Sequence, residues 1–264
     1  VTLPCVEVQV AGGIAHVTLN RTAKRNALDA ATIEVLTDEL LRCAEDSAVR
    51  VVQLTGSGPV FCAGADLVEM RDQRHASEAE NLAHARKLAR LLSVLDSLPK
   101  PTLARVNGDG YGGALGLIGA CDIVVVADHA KFAFTEVRLG IIPAVISPFV
   151  LAKMSQSAAS RYFLTAEIID AATLEALGLA HEVTPAEQLD AVCARITAAL
   201  LKGAPSALAE AKALIRDVAS GDPSSRASTS QKMAARLARL RLQPEAQEGF
   251  EAFFAKRKPV WQRE

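Results

Sequence analysis

The chain has 264 residues, half of them hydrophobic, with 29 Lys and Arg against 30 Asp and Glu. Such a length buries roughly 75% of its unfolded surface in one large domain, or in a domain plus an appendage, and excludes a disordered chain. A net charge of −1 without a basic run argues against a nucleic-acid partner, and no apolar run reaches the roughly 18–20 residues that span a bilayer.

In chain order, Val6 to Val10 and Ile14 to Leu19 flank Gly12-Gly13 and predict a hairpin. Asp29 is placed to cap a helix whose Ile33, Leu36, Leu40 and Leu41 follow helical spacing. Arg50 to Thr55 reads as a buried strand, and a helix starts at Leu67. Glu78 to Leu98 is a long amphipathic helix stopped by Pro99 and Pro101. Thr102 to Val106 and Ile123 to Ala127 are strands with a short helix between, and Ser147-Pro148 signals a further helix start. From about Pro185 only helices are expected: Ala186 to Leu201, Pro205 to Ala219, Ser228 to Leu240 and Pro244 to Lys256. The pattern divides the chain into a strand-containing core with the site, residues 1–202, and a helical unit for assembly, residues 203–264.

The five cysteines are scattered without a C-x-x-C pair, which suits packed thiols in a reducing compartment. With no basic-then-apolar N-terminal stretch, the expected compartment is the cytoplasm. The five histidines show no metal-ligand spacing, so no metal is expected. Gly108-x-Gly110-x-x-Gly113 matches the dinucleotide fingerprint in form only, because the helix after it is too short for the usual crossover. There is no P-loop and no G-x-S-x-G elbow.

Two glycine-rich turns carry the chemistry: Phe61-Cys62-Ala63-Gly64-Ala65-Asp66, and Asn107 through Ala114. Each follows an apolar strand and opens a helix, so each presents free backbone N–H groups to a negative charge. Gly64 lets the first turn fold tightly and small Ala65 leaves room for a ligand, while Asp66 can cap the next helix. Two such N–H groups on one oxygen make an oxyanion hole, worth roughly 3–4 kcal/mol per donor in a transition state. Glu136, in the apolar run Phe132-Ala133-Phe134-Thr135-Glu136, is the matching proton carrier, and burial is expected to raise its pKa.

These turns, with Asn20-Arg21, Asn26-Ala27-Leu28, Cys121-Asp122, Gly140-Ile141-Ile142-Pro143 and Lys256 through Trp261, resemble the crotonase (enoyl-CoA hydratase/isomerase) superfamily over nearly the whole chain. The resemblance implies an α/β spiral of β-β-α units with a helical C-terminal trimerisation domain, assembled as a homotrimer or a hexameric dimer of trimers. It implies an acyl thioester of coenzyme A as substrate, with no separate cofactor. Ala65 and Gly113 match the family's oxyanion donors and Glu136 its proton-exchanging glutamate. Lys24, Arg25 and Ala27 match the segment that contacts coenzyme A. Ala63, Asp66, Leu67, Gly112, Gly116 and Pro143 complete the substrate-binding set that it implies.

Gly116 departs from the family pattern, since hydratases usually carry there a glutamate that activates water. The stretches Gly112 to Leu117 and Ala144 to Phe149 nevertheless look like the branch that hydrates 3-methylglutaconyl-CoA and isohexenylglutaconyl-CoA. A distal carboxylate on such substrates could position the water, and Arg138 is a candidate to grip it, although a solvated arginine is its ordinary role. The expected activity is therefore hydration of a short, branched 2,3-unsaturated acyl-CoA. The alternatives are a Δ3,Δ2-enoyl-CoA isomerase working with one glutamate, or a relative that binds acyl-CoA without turnover.

Overall fold

A computed structural model describes residues 4–219 and 226–262; the outermost limits of both expected domains lie outside these residues. β1 (Val6–Ala11) and β2 (Ile14–Leu19) form the predicted antiparallel hairpin, followed by α1 (Ala30–Glu45), which Asp29 caps through the Thr32 N–H. Three similar units come next. β3 (Val51–Gly56) leads into β4 (Val60–Cys62), α2 (Leu67–Asp72) and α3 (Glu78–Ser97). β5 (Thr102–Val106) leads into β6 (Asp109–Tyr111) and α4 (Gly113–Ala120). β7 (Ile123–Ala127) leads into β8 (Lys131–Ala133), a 3-10 turn at Glu136–Leu139, α5 (Ser147–Leu151) and α6 (Gln156–Thr165).

Each unit gives its first strand to a six-stranded sheet, ordered β1-β2-β3-β5-β7 and closed by β10 (Glu182–Thr184). The second strand goes to a smaller sheet, ordered β4-β6-β8 and closed by the two-residue β9 (Ile169–Asp170). The chain thus spirals, with both sheets visited in the same order at each turn. Because β4, β6 and β8 run parallel, their C-terminal ends lie side by side, roughly 5 Å apart per strand. Those ends carry the two glycine turns and Glu136.

Strands β3, β5 and β7 are buried on both faces, as their near-continuous Val and Leu content requires of parallel strands under helices. Leu36, Leu40, Leu91, Leu92 and Leu95 bring α1 and α3 into the same core. Each fully buried Leu or Phe contributes roughly 1.5–3 kcal/mol relative to exposure. α3 starts on a capping box between Ser77 and Glu80, a signal present in the sequence. The second strand of each β-β-α unit was implied only by the resemblance, since strands of two or three residues are too short to show a period, and α6 and α7 (Ala171–Ala176) were not anticipated. α5 starts at Ser147 with Pro148 in its first turn, as the Ser147-Pro148 signal predicts, and ends after five residues.

α8 (Leu189–Leu201) packs Leu189 and Cys193 on Leu103, Val125 and Ala127 of the large sheet, so it belongs with the core. Beyond it come α9 (Pro205–Ala219), α10 (Arg226–Arg241) and α11 (Pro244–Phe254). Arg50 ties this stretch to the β2–β3 region by donating to the carbonyls of Gly203 and Trp261 at 2.7 and 3.1 Å. Lys212 on α9 pairs with Asp122 at 2.8 Å, and Asp122 also accepts from the Thr102 N–H and hydroxyl. Asp122 is therefore structural, locking β5, β7 and α9 together. No helix among the described residues is long and apolar enough to cross a membrane.

Candidate active site

The segment Arg21–Leu28 is held by two residues. Asn26, buried and in the left-handed region (φ 56°), accepts from the Arg21 N–H and donates to the carbonyls of Ser57 and Val60. The Arg21 guanidinium bonds the Ala27 carbonyl and pairs with Asp29 at 2.7 Å and Asp66 at 3.1 Å. One cation thus fixes the N-caps of both α1 and α2. Burial alone would raise the Asp66 carboxyl, but the Arg21 bond and the N–H groups of Glu69 and Val68 outweigh it and hold the carboxyl below its ordinary range.

Past β4 the chain makes an isolated parallel bridge between Ala65 and Leu28. The bridge uses the Gly64 carbonyl, which accepts from the Leu28 N–H at 2.7 Å, and the Asp66 N–H, which donates to Leu28 at 3.0 Å. Alternation along an extended backbone then turns the Ala65 N–H away from Leu28. The Ala65 N–H has no partner among the described residues, and neither does that of Gly113, the first residue of α4. The two turns touch: a methyl group built on Gly64 (φ 84°) would lie 3.5 Å from the Gly113 nitrogen and 2.5 Å from the Tyr111 carbonyl oxygen. Only glycine fits there.

Glu136 sits beside them at the start of its 3-10 turn. Phe132 and Phe134 are fully buried, and Phe134 packs on Phe163 with ring centroids 4.5 Å apart, which fixes the approach to Thr135 and Glu136. The carboxylate lies over Gly112 (φ 50°), where an added methyl group would come within 3.2 Å of Oε1. Oε2 is buried and has no hydrogen-bond partner in the described structure. Burial pushes the Glu136 carboxyl above its ordinary range, against a smaller opposing pull from its own backbone N–H. A carboxyl so placed is a stronger base than usual, and one of its oxygens is free to exchange a proton.

These groups share a cavity of about 520 Å³ with a mostly apolar wall. Of the residues expected at the site, Arg25, Ala63, Ala65, Leu67, Gly112, Gly113, Glu136 and Pro143 line it. Four do not. Lys24 and Asp66 border a separate shallow groove, together with Asp29. Ala27 is buried, and its carbonyl is occupied by Arg21. Gly116 is sealed: a methyl group built on it would lie 2.5 Å from Ile146 Cγ2 and 3.0 Å from Leu92 Cδ1. Arg138 reaches the cavity wall while donating to the Ala166 carbonyl at 2.8 Å.

Sequence reasoning missed the lining residues Met70, His84, Leu88 and Ile146. The i, i+4 pair His84 and Leu88 on a helix already read as amphipathic was the one available signal. Cys62, next to the first turn, is fully buried with its thiol pushed up to about 12 by burial, which fits a packing role. No cluster of three or more metal-ligating side chains occurs among the described residues.

A larger groove of about 1010 Å³ lies between α9 and α11. The starts of α9 and α11 border it, but Glu245 caps the Ser206 and Ala207 N–H groups there and no buried acid lines it, so the smaller cavity is the chemical one.

Comparison with known proteins agrees with this geometry. The family model for enoyl-CoA hydratase/isomerase matches residues 9–264. A crystal structure of an enoyl-CoA hydratase from Shewanella pealeana superposes with a TM-score of 0.94 at 40% identity, covering 98% of this chain and 96% of that one. Pseudomonas aeruginosa AtuE superposes at 0.93 with 32% identity, covering 98% of this chain and all of the other. A 2,3-dehydroadipyl-CoA hydratase from Escherichia coli is 32% identical over 243 residues, 92% of each chain. The spiral of paired strands, the two touching glycine turns and these matches agree: the chain is an enzyme of the enoyl-CoA hydratase/isomerase family, in the crotonase superfamily.

Proposed function

We propose that this enzyme adds water across the 2,3 double bond of a short, branched acyl-CoA, with 3-methylglutaconyl-CoA as the best single substrate. The observation that carries the proposal is the buried Glu136 carboxylate, with its unpartnered Oε2, beside two free amides. The Ala65 and Gly113 N–H groups hold the thioester oxygen, and the dipole of α4 adds to the field there. Water standing on the Glu136 face gives a proton to the carboxylate as its oxygen bonds to C3. The double-bond electrons move onto the thioester oxygen as an enolate. The enolate then collapses, and C2 takes the proton back from Glu136. One acid closes this cycle, because water supplies both the hydroxyl and the hydrogen.

Coenzyme A enters as part of the substrate, and no separate cofactor is assigned. Arg25 is exposed at the cavity edge with Lys24 beside it, so both suit phosphate groups outside the pocket. Lys24 does so from the outer surface rather than from the cavity wall. The Escherichia coli relative named for 2,3-dehydroadipyl-CoA supports a substrate with a second carboxyl group.

One observation favours a second reading. Ile146 and Leu92 close the position of Gly116, so no second carboxylate faces Glu136, and a single acid suits a Δ3,Δ2-enoyl-CoA isomerase. The conjugated thioester absorbance separates the two. Loss of absorbance with 3-methylglutaconyl-CoA or crotonyl-CoA supports hydration. A gain with a 3-enoyl-CoA and no loss with any 2-enoyl-CoA would establish isomerisation instead.

We also propose assembly as a homotrimer or a dimer of trimers through the C-terminal helices. Phe253 and Phe254, each close to four-fifths exposed, line the larger groove, and large exposed apolar side chains grouped in this way mark an interaction surface. Light scattering on the purified protein would read three or six chains; a monomer would refute the assembly.

A further inference from the structure

Among the side chains of the cavity wall, His84 stands out as a polar group on an apolar helix face. It lies on α3 beside Ala85 and one turn before Leu88, both of which line the cavity. Glu69 on α2 holds one ring nitrogen: Nε2 lies 3.2 Å from Glu69 Oε2. The Glu69 carboxylate is itself fixed, accepting from the Ala30 N–H at the start of α1 with both oxygens at 3.1–3.2 Å. Three helices therefore converge to orient one imidazole. Its other nitrogen, Nδ1, has no partner among the described residues.

His84 does not replace the acid absent at Gly116. Leu92, which packs on Gly116, is eight residues further along α3, about 12 Å along the helix axis at 1.5 Å per residue. The reacting carbons are fixed between the glycine turns and Glu136, and the exposed cations Lys24 and Arg25 suit the phosphates. The acyl tail then has the apolar wall of Ile33, Met70 and Leu88, and His84 is the hydrogen-bonding group on it.

We infer that His84, oriented by Glu69, reads a carboxylate on the distal end of the acyl chain, so that the enzyme selects dicarboxylic acyl thioesters over plain ones. The inference rests on the acyl-CoA reading of the cavity. With Nε2 taken up by Glu69, Nδ1 is the ring nitrogen left for the tail, and a ring carrying both protons donates from it to a carboxylate. An apolar tail leaves that nitrogen dry and unpaired, which is the physical basis of selection against it. Arg138, which also lines the cavity and spends one donor on the Ala166 carbonyl, is the competing group for this role.

The test is calorimetric binding of adipyl-CoA and hexanoyl-CoA, which share chain length and differ in the terminal carboxylate, to the wild type, His84→Leu and His84→Gln. The wild type should prefer adipyl-CoA by tenfold or more. His84→Leu should invert that preference by weakening adipyl-CoA and tightening hexanoyl-CoA, and His84→Gln, which keeps a donor, should fall between. Equal binding of the two by the wild type, or a His84→Leu ratio within threefold of wild type, overturns the inference. Hydration of 2-enoyl-CoAs is measured in parallel. Discrimination without turnover leaves the tail reader standing and removes the hydratase reading, whereas failure to bind either thioester removes both.

Discussion

On one side of the cavity a carboxylate is buried over Gly112 with an unpartnered oxygen; on the other, methyl groups of Ile146 and Leu92 fill the space beside Gly116. Both positions follow a glycine turn or flank one, yet one carries an acid and the other only shape. On the proposed reading the difference makes proton transfer one-sided: Glu136 both takes and returns the proton, while Ile146 and Leu92 supply only shape.

The largest way to break this comparison is Glu136→Gln. It keeps the shape of the wall and removes the acid beside the two free amides, so turnover should fall by about 10²–10⁴-fold with acyl-CoA binding retained. Steady-state kinetics with a binding measurement checks this; a rate within tenfold of wild type would mean that another group carries the proton. Gly64→Ala comes next. Its φ of 84° and the Tyr111 carbonyl 2.5 Å from the new methyl group force the Ala65 turn to move. Loss of one oxyanion donor costs about 10²–10³ in kcat. A variant that folds, binds and turns over normally would show that the Ala65 N–H is not used.

Changing the bare wall tests the comparison from the other side. Gly116→Glu alone collides with Ile146, and Ile146→Ala alone leaves a cavity worth about 2–5 kcal/mol of stability. Together they clear Ile146 Cγ2 from the new carboxylate and leave the Cβ at position 146 and the Leu92 methyl group, each 3.0 Å from the added Cβ, to give way. The double variant should raise hydration relative to isomerisation by about tenfold, short of the roughly 10²–10⁴ of a well-placed general base. An unchanged ratio in a folded double variant would show that water already has all the help it can use on the Glu136 face.

The contrast between the walls also separates what the sequence made legible from what it hid. The glycine turns, the Asp29 and Asp66 caps and Glu136 were readable because each depends on local chemistry: a turn needs glycine, a helix start needs an acceptor, and an acid in an apolar run has few other uses. The three-residue strands Val60–Cys62, Asp109–Tyr111 and Lys131–Ala133 were not readable, since they show no period and exist through pairing with one another. Yet it is that small sheet that sets the turns and Glu136 side by side. Ile146 over Gly116 and Glu69 against His84 join residues 30 and 15 positions apart, and nothing in the pattern of either segment announces its partner.

The smallest expected effect concerns stability. Burial raises the Glu136 carboxyl above its unfolded value, so over the interval between those two pKa values the folded state binds the extra proton. Folding is therefore penalised as pH rises through that interval, and the penalty is complete once the folded carboxyl has ionised. Below the ordinary carboxylate range both states are protonated and the penalty vanishes. Glu136→Gln removes it, so the variant should melt above wild type at neutral pH, and the gain should shrink to nothing as the pH falls below about 4.3, the unperturbed Glu value. Thermal unfolding across that range reads the difference directly. A variant less stable than wild type at neutral pH would mean that the ionised carboxylate is held by a stabilising partner, and that the two walls differ less than the structure indicates.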